Sequence, residues 1–213
     1  MMHAYDRNLL GKAQLTLASM IDCVVNVYGI GLKRFYSMFL NSEIAASFSR
    51  GDSSTIAGKS GRELAYTILS DSYPEIEVKI SYENYGRSKE YWIGWALAYY
   101  QWYSGLSFKK INEIVDISDI EKMYTVCHEM DIEQFVERIE MIRQSGKDES
   151  VLKRLRMYAG LSQRELADRS GIPLRTIQQY EQGQKDISHA RADSILRLSK
   201  ELYCSPEELI DQS

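Results

Sequence analysis

Cysteine is scarce in this chain, and what there is lies scattered. Cys23, Cys127 and Cys204 are odd in number, far apart and never in a CxxC pair, which leaves neither a disulfide framework nor a zinc site. His3, His128 and His189 are just as dispersed and read as surface residues, so no metal is expected. No apolar run approaches the ~18 residues of a membrane span. The start MMHAYDRNLL lacks the basic opening and apolar stretch of a signal peptide. A cytoplasmic protein with no membrane partner is expected. Internal repeats and low-complexity tracts are missing too. Carboxylates are plentiful, but periodicity places no pair of them together in a polar cleft, and no Ser or Cys is spaced from a His as in a known nucleophile family. Neither an enzyme nor a cofactor is expected.

What remains is the composition of an ordinary globular protein, 44% hydrophobic and 26% charged over 213 residues, enough for two modest domains. The net charge of −4 argues at first against a nucleic-acid partner. Its distribution weakens that objection. Residues 151–213 hold 10 Lys and Arg against 9 Asp and Glu, while residues 1–150 hold 16 against 21. The acidity sits in the N-terminal part, and local charge decides contact with phosphate. Gly58-Lys59-Ser60 has the look of a P-loop ending, but the glycine needed five residues earlier is Ser53, and Ser60 reads as a helix cap.

The periodicity predicts an all-α protein. Leu10, Ala13, Leu17, Met20, Ile21, Val24 and Tyr28 mark one face of a long helix from Tyr5 to Tyr28. Leu32, Phe35, Tyr36 and Phe39 mark a second, and a short helix follows around Ile44–Phe48. Ser60 with Glu63, Ser118 with Glu121 and Asp131 with Gln134 have the spacing of capped helix starts; Ser107 reads as another cap. The helix from Ser88 should stop at Gly105. Residues 72–87 stand apart: Pro74 breaks the pattern, and Ile76, Val78, Ile80 and Tyr82 alternate as on a strand. One strand alone is unstable, so an extended arm is expected there. The helix carrying Phe135, Ile139 and Ile142 ends near Gly146, and polar residues 147–150 form the boundary. The expected domains are therefore 1–146, helical, and 147–213, a small five-helix unit.

Within the second domain, two helices at a sharp fixed angle need particular residues at particular places. Ser162 and Glu165 cap the first. Ala167 is small where the next helix must cross, Gly171 supplies the positive φ of the turn, Ile172 buries it, and Pro173 stands at the start of the second helix. Leu152 and Leu155 before the pair, and Ile195, Leu198 and Leu202 after it, complete a bundle. Ser205-Pro206-Glu207-Glu208 opens a last helix.

The run LKRLRMYAGLSQRELADRSGIPLRTIQQYEQGQKD resembles the phage-repressor (Cro-like, XRE-type) helix-turn-helix family over about sixty residues, in order, spacing and flanking helices. The resemblance implies a DNA-binding transcriptional regulator. It makes 173–180 the recognition helix, with Leu174, Arg175, Thr176, Gln178 and Gln179 as candidate DNA contacts. It puts Gln163 on the DNA backbone and Gln182 and Lys185 in a loop that approaches phosphate, and it implies an internal salt bridge between Arg156 and Glu181. The chemistry agrees, since Gln pairs with two groups on adenine and Arg with two on guanine. One such domain makes few contacts, so the resemblance also implies a homodimer on a double-stranded operator.

The N-terminal part is about twice the size of the DNA-binding part. Its segment YWIGWALAYYQWY sets Trp92, Trp95, Tyr99 and Trp102 on one helical face. That face suits a buried central helix or, Trp and Tyr being common interface anchors, a partner surface. IAGKSGREL and EYWIGWALAYYQWYSG resemble bacterial helix-turn-helix proteins of toxin-like gene pairs. This implies an antitoxin that represses its own operon and binds a protein toxin through residues 1–145. The alternative is a ligand-sensing repressor whose N-terminal domain holds a small-molecule pocket.

Overall fold

The computed structural model describes residues 3–77, 88–145 and 150–210. Among these, helices and the turns between them account for all regular structure, with no strand. The chain divides into two compact units, Met1–Tyr124 and Thr125–Ser213. Of the segment expected to be extended, Ser72 ends a helix and residues 73–77 form a turn and irregular backbone, while residues 78–87 lie outside the described residues. So do residues 146–149, most of the expected boundary.

The first unit is built on two long helices. Asp6 starts α1 (Arg7–Asp22) by accepting the backbone N–H of Asn8 at 2.8 Å. The periodicity predicts one helix as far as Tyr28, but at Cys23 the chain passes into a π turn that runs to Val27, with Tyr28 N–H bonded five residues back to Cys23 O. The turn carries Asn26, whose amide donates to the buried Asp22 carboxylate at 2.9 Å; Asp22 also accepts the hydroxyl of Ser88. Ser88 in turn caps α6 (Lys89–Ser104), which stops at Gly105, φ +67°. Helix α6 packs along α1 so closely that a Cβ on Gly94 would stand 2.6 Å from Ala18 Cα.

Around this pair lie α2 (Leu32–Asn41), α3 (Glu43–Ser49), α4 (Ser53–Ile56) and α5 (Gly61–Ser72). Leu32, Phe35, Tyr36 and Phe39 are all buried, as their spacing predicts. Ser60 and Glu63 form the reciprocal cap of α5, with Ser60 N–H donating to Glu63 Oε2 at 2.7 Å and Glu63 N–H donating to Ser60 Oγ at 3.2 Å. Ser60 is thus committed to its helix, and α4, not a strand, precedes the Gly58-Lys59-Ser60 sequence. Helices α7 (Phe108–Ile114) and α8 (Ile117–Cys127) follow, and Phe108 meets Phe39 and Phe48 edge-on at 5.0 and 5.6 Å. The cap of α8 is Asp116, not Ser118: its carboxylate accepts Ser118 N–H at 2.9 Å, and Ser118 lies inside the first turn. A carboxylate two residues earlier takes up the free N–H group, so the helix starts before the serine.

The second unit begins within the last turn of α8, and its first whole helix is α9 (Ile132–Ser145), which buries Phe135, Ile139 and Ile142. Then come α10 (Val151–Tyr158), α11 (Gln163–Ser170), α12 (Leu174–Glu181), a single 3-10 turn, α13 (Ala192–Leu202) and α14 (Pro206–Ile210). Among the described residues five α-helices therefore follow residue 150, as the sequence predicts. Helix α9, placed by the sequence reading with the N-terminal part, packs against α10. Its Arg138 is buried, with Nη1 2.9 Å from Cys127 Sγ and 3.4 Å from the Tyr158 carbonyl that ends α10. Gly160 leaves room for it: a Cβ there would collide with the guanidinium.

Candidate nucleic-acid interface

The geometry of α11 and α12 follows from a few residues. Ser162 caps α11 and Glu165 returns the bond, Ser162 N–H to Glu165 Oε2 at 2.7 Å. Those hydrogen bonds, first from the backbone and then from the hydroxyl of Ser162, hold the Glu165 carboxyl below the usual glutamate range. Gly171 ends α11 at φ +66°, a backbone that an L side chain adopts only with strain. Arg197 from α13 braces the turn by donating to Ser170 O at 3.0 Å. Leu166, Ala167, Ile172 and Ile177 bury the inner side. Tyr180 is only half-buried.

Helix α12 begins without a side-chain cap. Pro173 stands at its N-cap position and offers no acceptor, so no capping side chain takes up the first backbone N–H groups. Its outer residues are those that the sequence singles out. Arg175 is exposed and forms no ion pair among the described residues; Leu174, Thr176, Gln178 and Gln179 are partly exposed. Lys185 is exposed in the loop after α12, where its N–H and that of Gln184 close on Gln179 O at 3.2 and 2.9 Å. Gln182 is exposed in the same loop and accepts the Gln184 amide at 2.9 Å. The eight candidates thus lie on α12, the loop behind it and the first position of α11.

The core side of this surface holds a buried ion pair. Arg156 grips Glu181 with two prongs, Nε to Oε1 at 2.6 Å and Nη2 to Oε2 at 3.0 Å. This is the salt bridge that the resemblance implies. Sequence reading missed what Glu181 does next, for its Oε2 also accepts the Gln163 amide at 2.7 Å. Eighteen residues separate the two, and no local pattern connects them.

The aromatic candidates of the first unit are spread over several environments. Trp92 meets Tyr124 edge-on at 5.5 Å, and Trp95 is half-buried. Tyr99 leans on Trp102 at 5.7 Å. Trp102 is buried: its indole N–H donates to Tyr5 O at 2.9 Å, and His3 stacks on its face at 3.8 Å. One of the four is therefore occupied by the chain's own N-terminal segment.

An uncapped recognition-type helix, a glycine turn and a buried pair behind them form one arrangement from α10 to α14. Residues 152–209 match the helix-turn-helix family. No curated protein and no solved structure matches the chain. This match supports a DNA-binding transcription regulator. No described helix is long and apolar enough to cross a membrane.

Proposed function

We propose that this chain regulates transcription by binding a specific duplex sequence, with α12 in the major groove. The observation that carries this reading is the start of α12: backbone donors that no side chain caps, an Arg175 one residue on with no ion pair among the described residues, and Gln179 one turn further. Arg175 supplies a two-pronged donor for guanine O6 and N7, and Gln179 a donor and acceptor for adenine. Leu174 offers an apolar contact for a thymine methyl. Gln163, Gln182 and Lys185 hold the phosphates on either side, which fixes register without reading sequence. Two copies bind half-sites about one helical turn, ~34 Å, apart. The test is selection of duplexes from a random pool by the full chain, followed by binding in a salt series. A palindromic consensus supports the reading; binding that never distinguishes sequences refutes it.

The finer role proposed is that of an antitoxin which represses its own operon, the first unit binding a protein toxin. Two features support it: the acidic balance of residues 1–150 and a unit separate from the DNA-binding one. The face with Trp92, Trp95 and Tyr99 is the candidate contact, Trp102 being occupied from within. Affinity capture with the full chain in its native host, scored for a stoichiometric basic protein, tests this role.

A further inference from the structure

Gln163 occupies the first position of α11, half-buried, and its carboxamide faces two unlike groups. Nε2 lies 2.7 Å from the Glu181 carboxylate. Oε1 lies 3.5 Å from Gln178 Nε2, a long bond. An ionised carboxylate can only accept. The atom of Gln163 turned towards it must therefore be nitrogen; the reversed amide would set oxygen against oxygen on one side and N–H against N–H on the other. Glu181 cannot swing aside to relieve this. Both its oxygens are held by Arg156, and Arg156 Nη1 is fixed in turn on Leu161 O at 2.7 Å. Only 2% of the Glu181 side chain is exposed.

We infer that Glu181 is a positioning residue for DNA-backbone binding: it locks the Gln163 carboxamide so that the second Nε2 N–H is left as a donor for a phosphate oxygen. The inference rests on the DNA-binding reading above. A phosphodiester accepts and never donates, so the sense of the amide decides whether position 163 attracts the backbone or repels it. The location suits an anion as well, because the first turn of a helix carries partial positive charge. Arg156 makes the arrangement affordable by cancelling the buried negative charge. An internal ion pair thus has a second task, to set the hydrogen-bonding sense of a neutral side chain at the surface.

The probe for a test is a duplex enriched from a random pool by the unmodified full chain, and copies of it with one neutral methylphosphonate at each phosphate in turn. Gln163→Leu is expected to lose sensitivity at one phosphate, with affinity down about tenfold. Arg156→Met combined with Glu181→Gln leaves no unpaired charge buried, and it is expected to lose sensitivity at that same phosphate. In a Gln163→Lys background, where the head group has only donors and no sense to set, the same double change is expected to leave the phosphate profile unaltered. The inference is overturned if the double variant keeps the Gln163-dependent phosphate, or loses it equally with lysine at 163. Should the double variant fail to fold, the side-chain amide of Gln163 in the unmodified chain is the second readout. One downfield, slowly exchanging Nε2 proton is expected; two fast-exchanging protons overturn the lock. A pool that yields no enriched duplex overturns the DNA-binding reading itself and the positioning role with it.

Discussion

Arg156 on α10 and Glu181 at the end of α12 are joined by two parallel hydrogen bonds of 2.6 and 3.0 Å, in a setting where the side chains are 11% and 2% exposed. A buried pair of this kind repays its desolvation only while both members are present. Arg156→Met alone should therefore destabilise the second unit by about 3–5 kcal/mol, because Glu181 is left charged and unpaired. Adding Glu181→Leu should recover most of that loss. Urea unfolding of the two variants beside the parent measures both.

Arg175 and Lys185 separate base reading from phosphate holding. Both are exposed, but Arg175 sits on α12 and Lys185 in the loop behind it. Arg175→Ala should weaken the selected duplex by about 1–3 kcal/mol and flatten preference at one base pair. Lys185→Ala should weaken all duplexes alike and reduce the slope of log affinity against log salt by about 0.9. A salt series on consensus and scrambled duplexes distinguishes the two patterns; a specificity change from Lys185 would reverse the assignment.

The parts that the sequence made legible are those in which a residue type answers a local backbone need. Ser60 with Glu63 and Ser162 with Glu165 satisfy free N–H groups three residues away, and Gly105 and Gly171 supply the left-handed turns at helix ends. The π turn at Cys23–Val27 left no such mark, because the mostly apolar run CVVNV continues unbroken past the change of hydrogen-bond spacing. Distant partners were equally silent. Arg138 ties α9 to the end of α8 through Cys127 and to the end of α10 through Tyr158, eleven and twenty residues away. Trp102 meets Tyr5 O across ninety-seven positions, so a spacing rule that puts it on an aromatic face cannot say what covers it.

The contact between α1 and α6 depends on Gly94 having no side chain. A Cβ there would stand 2.6 Å from Ala18 Cα and 2.7 Å from Leu17 O, both backbone atoms that cannot turn away. Gly94→Ala must push the helices apart, which should destabilise the first unit by about 1–3 kcal/mol despite alanine's better helix propensity. Gly11→Ala, on the same helix pair but with nothing within 4 Å, should be neutral or stabilising. Thermal unfolding of the two variants provides the comparison, and equal effects would show that the close approach does not matter.

The start of α11 should weaken in acid. Glu165 is held below the ordinary glutamate range by the backbone N–H of Ser162 and then by its hydroxyl, with Arg169 contributing least. A carboxyl whose pKa is lower folded than unfolded contributes stability that is complete above its unfolded value and is lost as pH falls through the folded one. The cap should thus hold at neutral pH and fail only within and below the carboxylate range. Since Gln163 is the residue next to this cap, acid should release it from its place beside Glu181 before the unit unfolds as a whole. Glu165→Gln can still accept the Ser162 N–H but does not ionise, so it should remove this share of the pH dependence while keeping the helix start. Amide exchange of Gln163 through Leu166, followed from neutral pH downward in parent and variant, tests the assignment. Identical acid profiles in the two would show that another carboxylate controls the segment.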